Sequence, residues 1–263
     1  MITFTSFLAP NADTVCKAIV DYVAQQLDIQ TEFVDNTPYS QRWQQFDAGE
    51  IEAAWICGLP YVRRVDEQQA KLDLLAAPVM QKPRYKNQPI YYSDVVVHRE
   101  SDFYTFADLQ GASWAYNEVG SHSGYTIVRY HLAQLGHTNG YFGQLTESGG
   151  HQISLKMVLD QEVDASAIDS TVMETEIILH PEISKNIRIV ARLGPSPIPP
   201  WVINKSVAGE VREAIQEVMV NMHLYPIGHA ILAGGQIKRL ANVYDEDYNL
   251  TRKMAKIADT VTL

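Results

Sequence analysis

The chain has 263 residues, enough for one large α/β domain or two compact lobes, and its 46% hydrophobic and 20% charged residues are ordinary for a globular protein. A net charge of −10 argues against a nucleic-acid or anionic-membrane surface. No run of 18 or more apolar residues occurs, so membrane insertion is not expected.

The first seven residues lack a basic n-region and a long apolar stretch, so they are expected to be the first strand and not a signal peptide. The expected location is then periplasmic for a mature form that has lost its signal, and cytoplasmic otherwise. Asn11 or Asp13 caps a helix whose inner face carries Val15, Ile19, Val20, Val23 and Leu27. A strand at Thr31–Val34 follows, then a helix at Tyr39–Ala48 stopped by Gly49, and a strand at Ala53–Ile56. Gly58-Leu-Pro60 opens another helix, with proline placed in its first turn. Leu72–Pro78 and Tyr91–His98 read as strands. A second cycle follows: a strand at Ser113–Tyr116, a helix at Ser123–Leu135, a helix at Gln152–Asp160, a strand at Asp164–Ile168, a helix at Ser170–Leu179 and a strand at Ile187–Leu193. Pro195–Pro200 is too proline-rich for helix or central strand and reads as a connection. Trp201–Ile203 is a strand, Ala208–Met222 a helix, and the tail beyond Gly235 helical and polar. Strands alternating with amphipathic helices indicate parallel sheet with helices on its faces. Two such cycles suggest a discontinuous first lobe, residues 1–92 and 198–263, and a second lobe, residues 93–197. Cys16 and Cys57 read as two buried free thiols.

Phosphate-loop, dinucleotide-fingerprint, zincin and nucleophile-elbow motifs are all absent, and the eight histidines form no i, i+4 pair, so no metal or cofactor is expected. What stands out is Gly120-Ser-His-Ser-Gly124, set between a strand end and a helix start. N–H groups at a helix start have no intrahelical partner, and with the helix dipole they seat an anion. Ser121, His122 and Ser123 are therefore candidate ligand residues, although one serine capping a helix explains the same pattern. His151 follows two glycines at another helix start, where as an imidazolium it would add a charge-assisted bond; it also fits a structural histidine. Asp169 ends a strand, where it accepts from a protonated ligand oxygen or a ligand amine, or caps the helix from Ser170. Tyr39, Trp55 and Tyr91 are candidate aromatic contacts. No arginine or lysine belongs to any of these clusters, which predicts binding by dipoles and shape.

These segments in this order resemble the phosphate/phosphite/phosphonate-binding proteins of ABC transporters. The resemblance rests on Tyr39 through Ala54-Trp55-Ile56 with Gly58-Leu-Pro-Tyr61, on Ile90-Tyr-Tyr-Ser93 into Val95–Val97, on Gly120 to Tyr125, on Gly150-His151 and on Glu162-Val-Asp-Ala165. It spans roughly residues 1–205, and the combination is more specific than any one motif. It implies a two-lobed α/β fold of the type II periplasmic-binding class, each lobe a mostly parallel sheet, with a ligand cleft between lobes and hinge closure. It also implies a pocket of Tyr39, Tyr91, Ser121, His122, Ser123 and His151 for a tetrahedral head group. The acids that would hold an aminoalkyl tail are not matched: Asp169 is slightly displaced, and Ile198-Pro-Pro200 is apolar where a second acid is expected. Phosphate, phosphite or a simple phosphonate is therefore expected in a non-enzymatic monomer that serves an ABC permease or a sensor protein. The alternative is a cytoplasmic enzyme or effector-sensing protein on the same fold, binding a small carboxylate or phosphorylated metabolite.

Overall fold

In the computed structural model, described over residues 1–68 and 71–263, the elements run in chain order as β1 (Ile2–Ser6), α1 (Asp13–Leu27), β2 (Thr31–Val34), α2 (Tyr39–Asp47), β3 (Ala53–Trp55), α3 (Gly58–Asp66) and β4 (Leu72–Met80). They continue as β5 (Ile90–His98), β6 (Ser113–Tyr116), α4 (Ile127–Gln134), β7 (Gln144–Glu147), α5 (His151–Leu159), β8 (Ala165–Asp169), α6 (Ser170–Leu179), α7 (Ile183–Asn186) and β9 (Ile187–Pro197). The chain closes with β10 (Trp201–Asn204), α8 (Gly209–Asn221), α9 (Pro226–Gly234), β11 (Ile237–Ala241) and α10 (Asn249–Ala258). Two compact units result: residues 1–90 with 197–248, and residues 91–196 with 249–263.

The first unit holds a six-stranded sheet in the order β11-β4-β10-β3-β1-β2. β1 lies parallel to both β2 and β3, whereas β10 runs antiparallel to β3 and β4, and β11 antiparallel to β4. The expected mostly parallel sheet is thus a mixed one. β1 to β4 run the same way and follow one another through the helices α1, α2 and α3, whereas β10 enters between β3 and β4 after a long excursion through the second unit and is free to pair in either sense. The amphipathic spacing in α1 buries Cys16, Ile19, Val20 and Val23. Cys16 is buried as expected, and Cys57 is only half-buried; neither is in a disulfide.

The second unit is ordered β7-β6-β8-β5-β9. β6 is parallel to β7 and β8, and β5 is antiparallel to β8, so this sheet is mixed too. Its core gathers Val95, Leu109, Trp114, Val128, Leu132 and Phe142. Met254, Val261 and Leu263 join the same core, so the chain after Tyr248 packs here and not in the first lobe as the sequence suggested. The physical reason is the face Thr251, Met254, Ala258, which is apolar enough to bury within an otherwise polar helix. Arg129 Nε fixes the tail by donating to the Val261 carbonyl at 2.6 Å. The proline-rich stretch is partly strand: β9 runs to Pro197, which an edge strand tolerates because its outer N–H groups need no partner. Among the described residues no helix is long and apolar enough to cross a membrane.

Candidate functional site

β6, β7 and β8 are parallel, so their carboxyl ends lie along one edge of the second unit's sheet. Three helices start there: a π-helical turn at His122–Thr126 leading into α4, then α5 at His151 and α6 at Ser170. This is where open α/β sheets place ligands. The π-turn is wide because Thr126 N–H and Ile127 N–H bond five residues back, to the Ser121 and His122 carbonyls. Ser121 is the cap, its Oγ accepting from Gly124 N–H at 3.0 Å. His122 and Ser123, the first two helical residues, have no preceding turn to receive their N–H groups.

The side chains around this turn are polar and buried. Ser123 Oγ lies 2.9 Å from His151 Nε2. His122 Nε2 lies 2.9 Å from Ser196 Oγ, and the Tyr91 ring packs 6.4 Å from the His122 ring. Ser93 Oγ donates to the Ser123 carbonyl. Ser93 is directly opposite Asp169 in the β5–β8 register, which brings Asp169 to the same face. Asp169 also caps α6, accepting from the N–H and the hydroxyl of Thr171, each at 2.7 Å. Two buried polar atoms here have no hydrogen-bond partner: Asn117 Oδ1 and His122 Nδ1. Such atoms are rare in folded proteins and point to an unfilled bonding role. Asn117 Oδ1 presses so closely on Gly124 that a Cβ there would lie 1.9 Å from it.

Burial lowers the pKa of His151 to about 4, the Ala167 carbonyl opposing the shift only in part, and burial alone lowers that of His122 to about 4 as well. Both rings are neutral at pH 7, so the imidazolium expected at His151 is absent: a helix-start dipole and full desolvation both oppose the charged form. Burial raises the Asp169 pKa to about 6, with its Thr171 and Val172 hydrogen bonds lowering it and the charge of Asp94 raising it.

Of the expected site residues, Tyr91, Ser121, His122, Ser123, His151 and Asp169 fall together in the second unit, and Tyr39 and Trp55 belong to the first. Trp55 is a core residue there: its Nε1 donates to the Pro199 carbonyl at 2.9 Å and its ring stacks on Trp201. Tyr39 is exposed, packed edge-on against Phe7 and Trp43. Beside it stands Arg42, which the sequence reading left out of every cluster. Arg42 Nη1 donates to the Ser6 carbonyl at 2.7 Å, and its guanidinium sits 5.9 Å from the Tyr39 ring. The i, i+3 spacing from Tyr39 on one helix was the signal for it. Ser93, Asn117 and Ser196 were also missed as site residues; only Asn117 carried a hint, as the residue that follows a strand before the glycine-rich turn.

A surface hollow of about 530 Å³, lined by His98, Leu159, His180, Glu182, Ile183 and Asn186, opens at the opposite end of the same sheet. It contains no convergence of helix starts, and the buried polar cluster is the better candidate.

A family model described as the periplasmic substrate-binding protein of phosphonate ABC transporters matches residues 2–248. Among solved structures, PhnD1 from Prochlorococcus marinus in complex with methylphosphonate is 17% identical with a TM-score of 0.84, covering 99% of this chain and 98% of its own. A binding-protein component of a phosphonate ABC transporter from Pseudomonas aeruginosa is 16% identical, also with a TM-score of 0.84, covering 98% of this chain and 86% of its own. A Xanthomonas citri protein bound to ATP is 15% identical with a TM-score of 0.73, covering 98% and 96%. At these identities the structural likeness shows the fold.

Proposed function

Because the chain belongs to the periplasmic substrate-binding proteins of phosphonate ABC transporters, we propose that it binds a small phosphorus oxyanion (phosphate, phosphite or a simple phosphonate) at the β6–β8 edge and presents it to a membrane permease. The observation that carries this reading is the meeting of three helix starts around the Ser123–His151 pair. The His122 and Ser123 N–H groups and the Ser121 and Ser123 hydroxyls supply donors to the bare oxygens of a tetrahedral head group. Tyr91 and His122 pack behind this turn and hold its shape, and Asp169 faces the ligand from β8. No nucleophile aimed at a reacting centre is needed for this role, and the reading is of a receptor.

The test is calorimetric titration with phosphate, phosphite, methylphosphonate, aminoethylphosphonate and sulfate. Saturable 1:1 binding of at least one phosphorus oxyanion, lost in a Ser123→Ala, His151→Ala double variant that melts normally, is expected. Binding of none, or full binding by that variant, refutes the assignment.

A further inference from the structure

His122 is joined to the C-terminal helix through one hydroxyl. Ser196 Oγ lies 2.9 Å from His122 Nε2 and donates to Met254 Sδ at 3.8 Å. All three side chains are buried; Met254 belongs to α10, which packs against α4 and the π-helical turn. Burial also keeps the His122 ring neutral at pH 7. A neutral imidazole carries one N–H and one bare nitrogen, and a serine hydroxyl has a single proton to give. With the Ser196 proton on sulfur, the bond to the ring runs the other way: Nε2–H donates and Ser196 Oγ accepts. His122 Nδ1 is then the bare nitrogen, and it is buried without a hydrogen-bond partner. Because Nδ1 is bonded to Cγ, it is the ring nitrogen nearer the turn's backbone, where the His122 and Ser123 N–H groups stand.

Counting bonds shows why the proton rests on Nε2 in the empty site. There both protons of the relay have acceptors, Ser196 Oγ for Nε2–H and Met254 Sδ for the hydroxyl. With the proton on Nδ1, Ser196 would donate to Nε2, but Nδ1–H would be a buried donor with nothing to bond, which is the costlier arrangement. A bare ligand oxygen beside Nδ1 reverses the count. Nδ1–H then makes a charge-assisted bond, about twice as strong as a neutral one, and the bond surrendered is to a thioether, a weak acceptor.

We propose that Ser196 and Met254 are positioning residues of the oxyanion site: in the empty protein they keep the His122 proton on Nε2, and when a bare ligand oxygen reaches Nδ1 the ring changes tautomer, Ser196 turning its hydroxyl from Met254 to Nε2. One proton leaves Nε2 and one arrives at Nδ1 by exchange through water, so the ring stays neutral and no net proton is taken up. The inference rests on the oxyanion reading above and adds to it a donor that forms only when the site is filled. Sulfur suits the task. An oxygen acceptor in its place would hold the serine proton and keep Nδ1 bare, and a hydrocarbon would not hold it at all.

Long-range proton–nitrogen correlation spectra of protein with isotopically labelled histidines read the tautomer of each ring, and His122→Gln identifies the His122 signals by their absence. Free wild type is expected to show His122 protonated on Nε2, and wild type saturated with methylphosphonate or phosphate to show it protonated on Nδ1. These two spectra stand whether or not any variant folds. Met254→Leu keeps the volume and removes the acceptor. It should move free His122 toward the Nδ1–H form and tighten oxyanion binding about 2–10-fold, since one hydrogen bond is no longer given up. A methionine that only fills space would leave the tautomer where it was. Free wild type protonated on Nδ1, the same tautomer before and after saturation, or a folded Met254→Leu with the wild-type tautomer overturns the inference and leaves the oxyanion reading standing. Binding of none of the oxyanions overturns both.

Discussion

Replacing Gly124 by alanine probes the turn on which the site depends. The added Cβ would lie 1.9 Å from Asn117 Oδ1, 2.9 Å from Asn117 Cγ and 3.2 Å from His151 Cε1. Asn117 must therefore retreat by more than 1 Å, and it is itself 92% buried, with its carbonyl oxygen already unpartnered. Inserting a methyl into a packed interior costs about 1–3 kcal/mol, and replacing glycine within a helix returns at most about 1 kcal/mol. The net expectation is a loss of about 1–2 kcal/mol, or a melting temperature lower by roughly 2–8 °C in a chain of this size. Urea and thermal unfolding measure it, with amide exchange over residues 121–134 to localise the loss. Asn117→Ala in the same chain should restore most of the stability, giving a coupling of about 1–2 kcal/mol between the two positions. A Gly124→Ala protein as stable as wild type, or one that Asn117→Ala does not rescue, refutes this account of the turn.

Three further outcomes are expected. Ser123→Ala and His151→Ala should each weaken phosphorus-oxyanion binding by about 1–3 kcal/mol, as for one bond to a charged partner; calorimetry showing unchanged affinity in both would remove the pair from the site. Stability should fall with acid between pH 6.5 and 4. His122 and His151, near 4 when folded and 6.5 when unfolded, each take up a proton only on unfolding in that window, whereas Asp169, near 6 when folded and 3.8 unfolded, releases one. At pH 5 the unfolded chain holds about one proton more, a slope of roughly 1 kcal/mol per pH unit, which His151→Gln should flatten in urea melts; a flat wild-type profile counts against buried neutral histidines. Met254→Ala should destabilise by about 2–4 kcal/mol and speed amide exchange in α4 and β6; loss confined to residues 1–90 would mean that the C-terminal helix belongs elsewhere.

The donor-rich turn was legible because its parts are contiguous: a strand, then Gly120 to Gly124, then an amphipathic helix. Its partners were not, because register brings them there. Ser93 reaches Ser123 only because β5 runs antiparallel to β8, and Ser196 reaches His122 only because the proline-rich stretch continues as an edge strand. Edge strands escaped for a related reason. β7 carries Gln144, Leu145, Thr146 and Glu147, mostly exposed, and β11 alternates within a segment that reads as polar tail. Neither has the apolar run that marks a central strand. The charge of His151 could not be read from sequence at all, since desolvation belongs to the packed state; its place after two glycines suggested a cation, and burial removed it.

That loss of charge makes sense of the chain's acidity. A site relying on arginine or lysine would bind any dianion of the right size and would pair with its own carboxylates when empty. A site of helix starts, hydroxyls and neutral imidazoles has no charge to neutralise and loses little on opening to water. Its attraction is short-ranged, so a net charge of −10 on the surface, screened over about 8–10 Å, does little to oppose a ligand held at that edge. A donor set of this kind distinguishes ligands by shape, through where their oxygens sit.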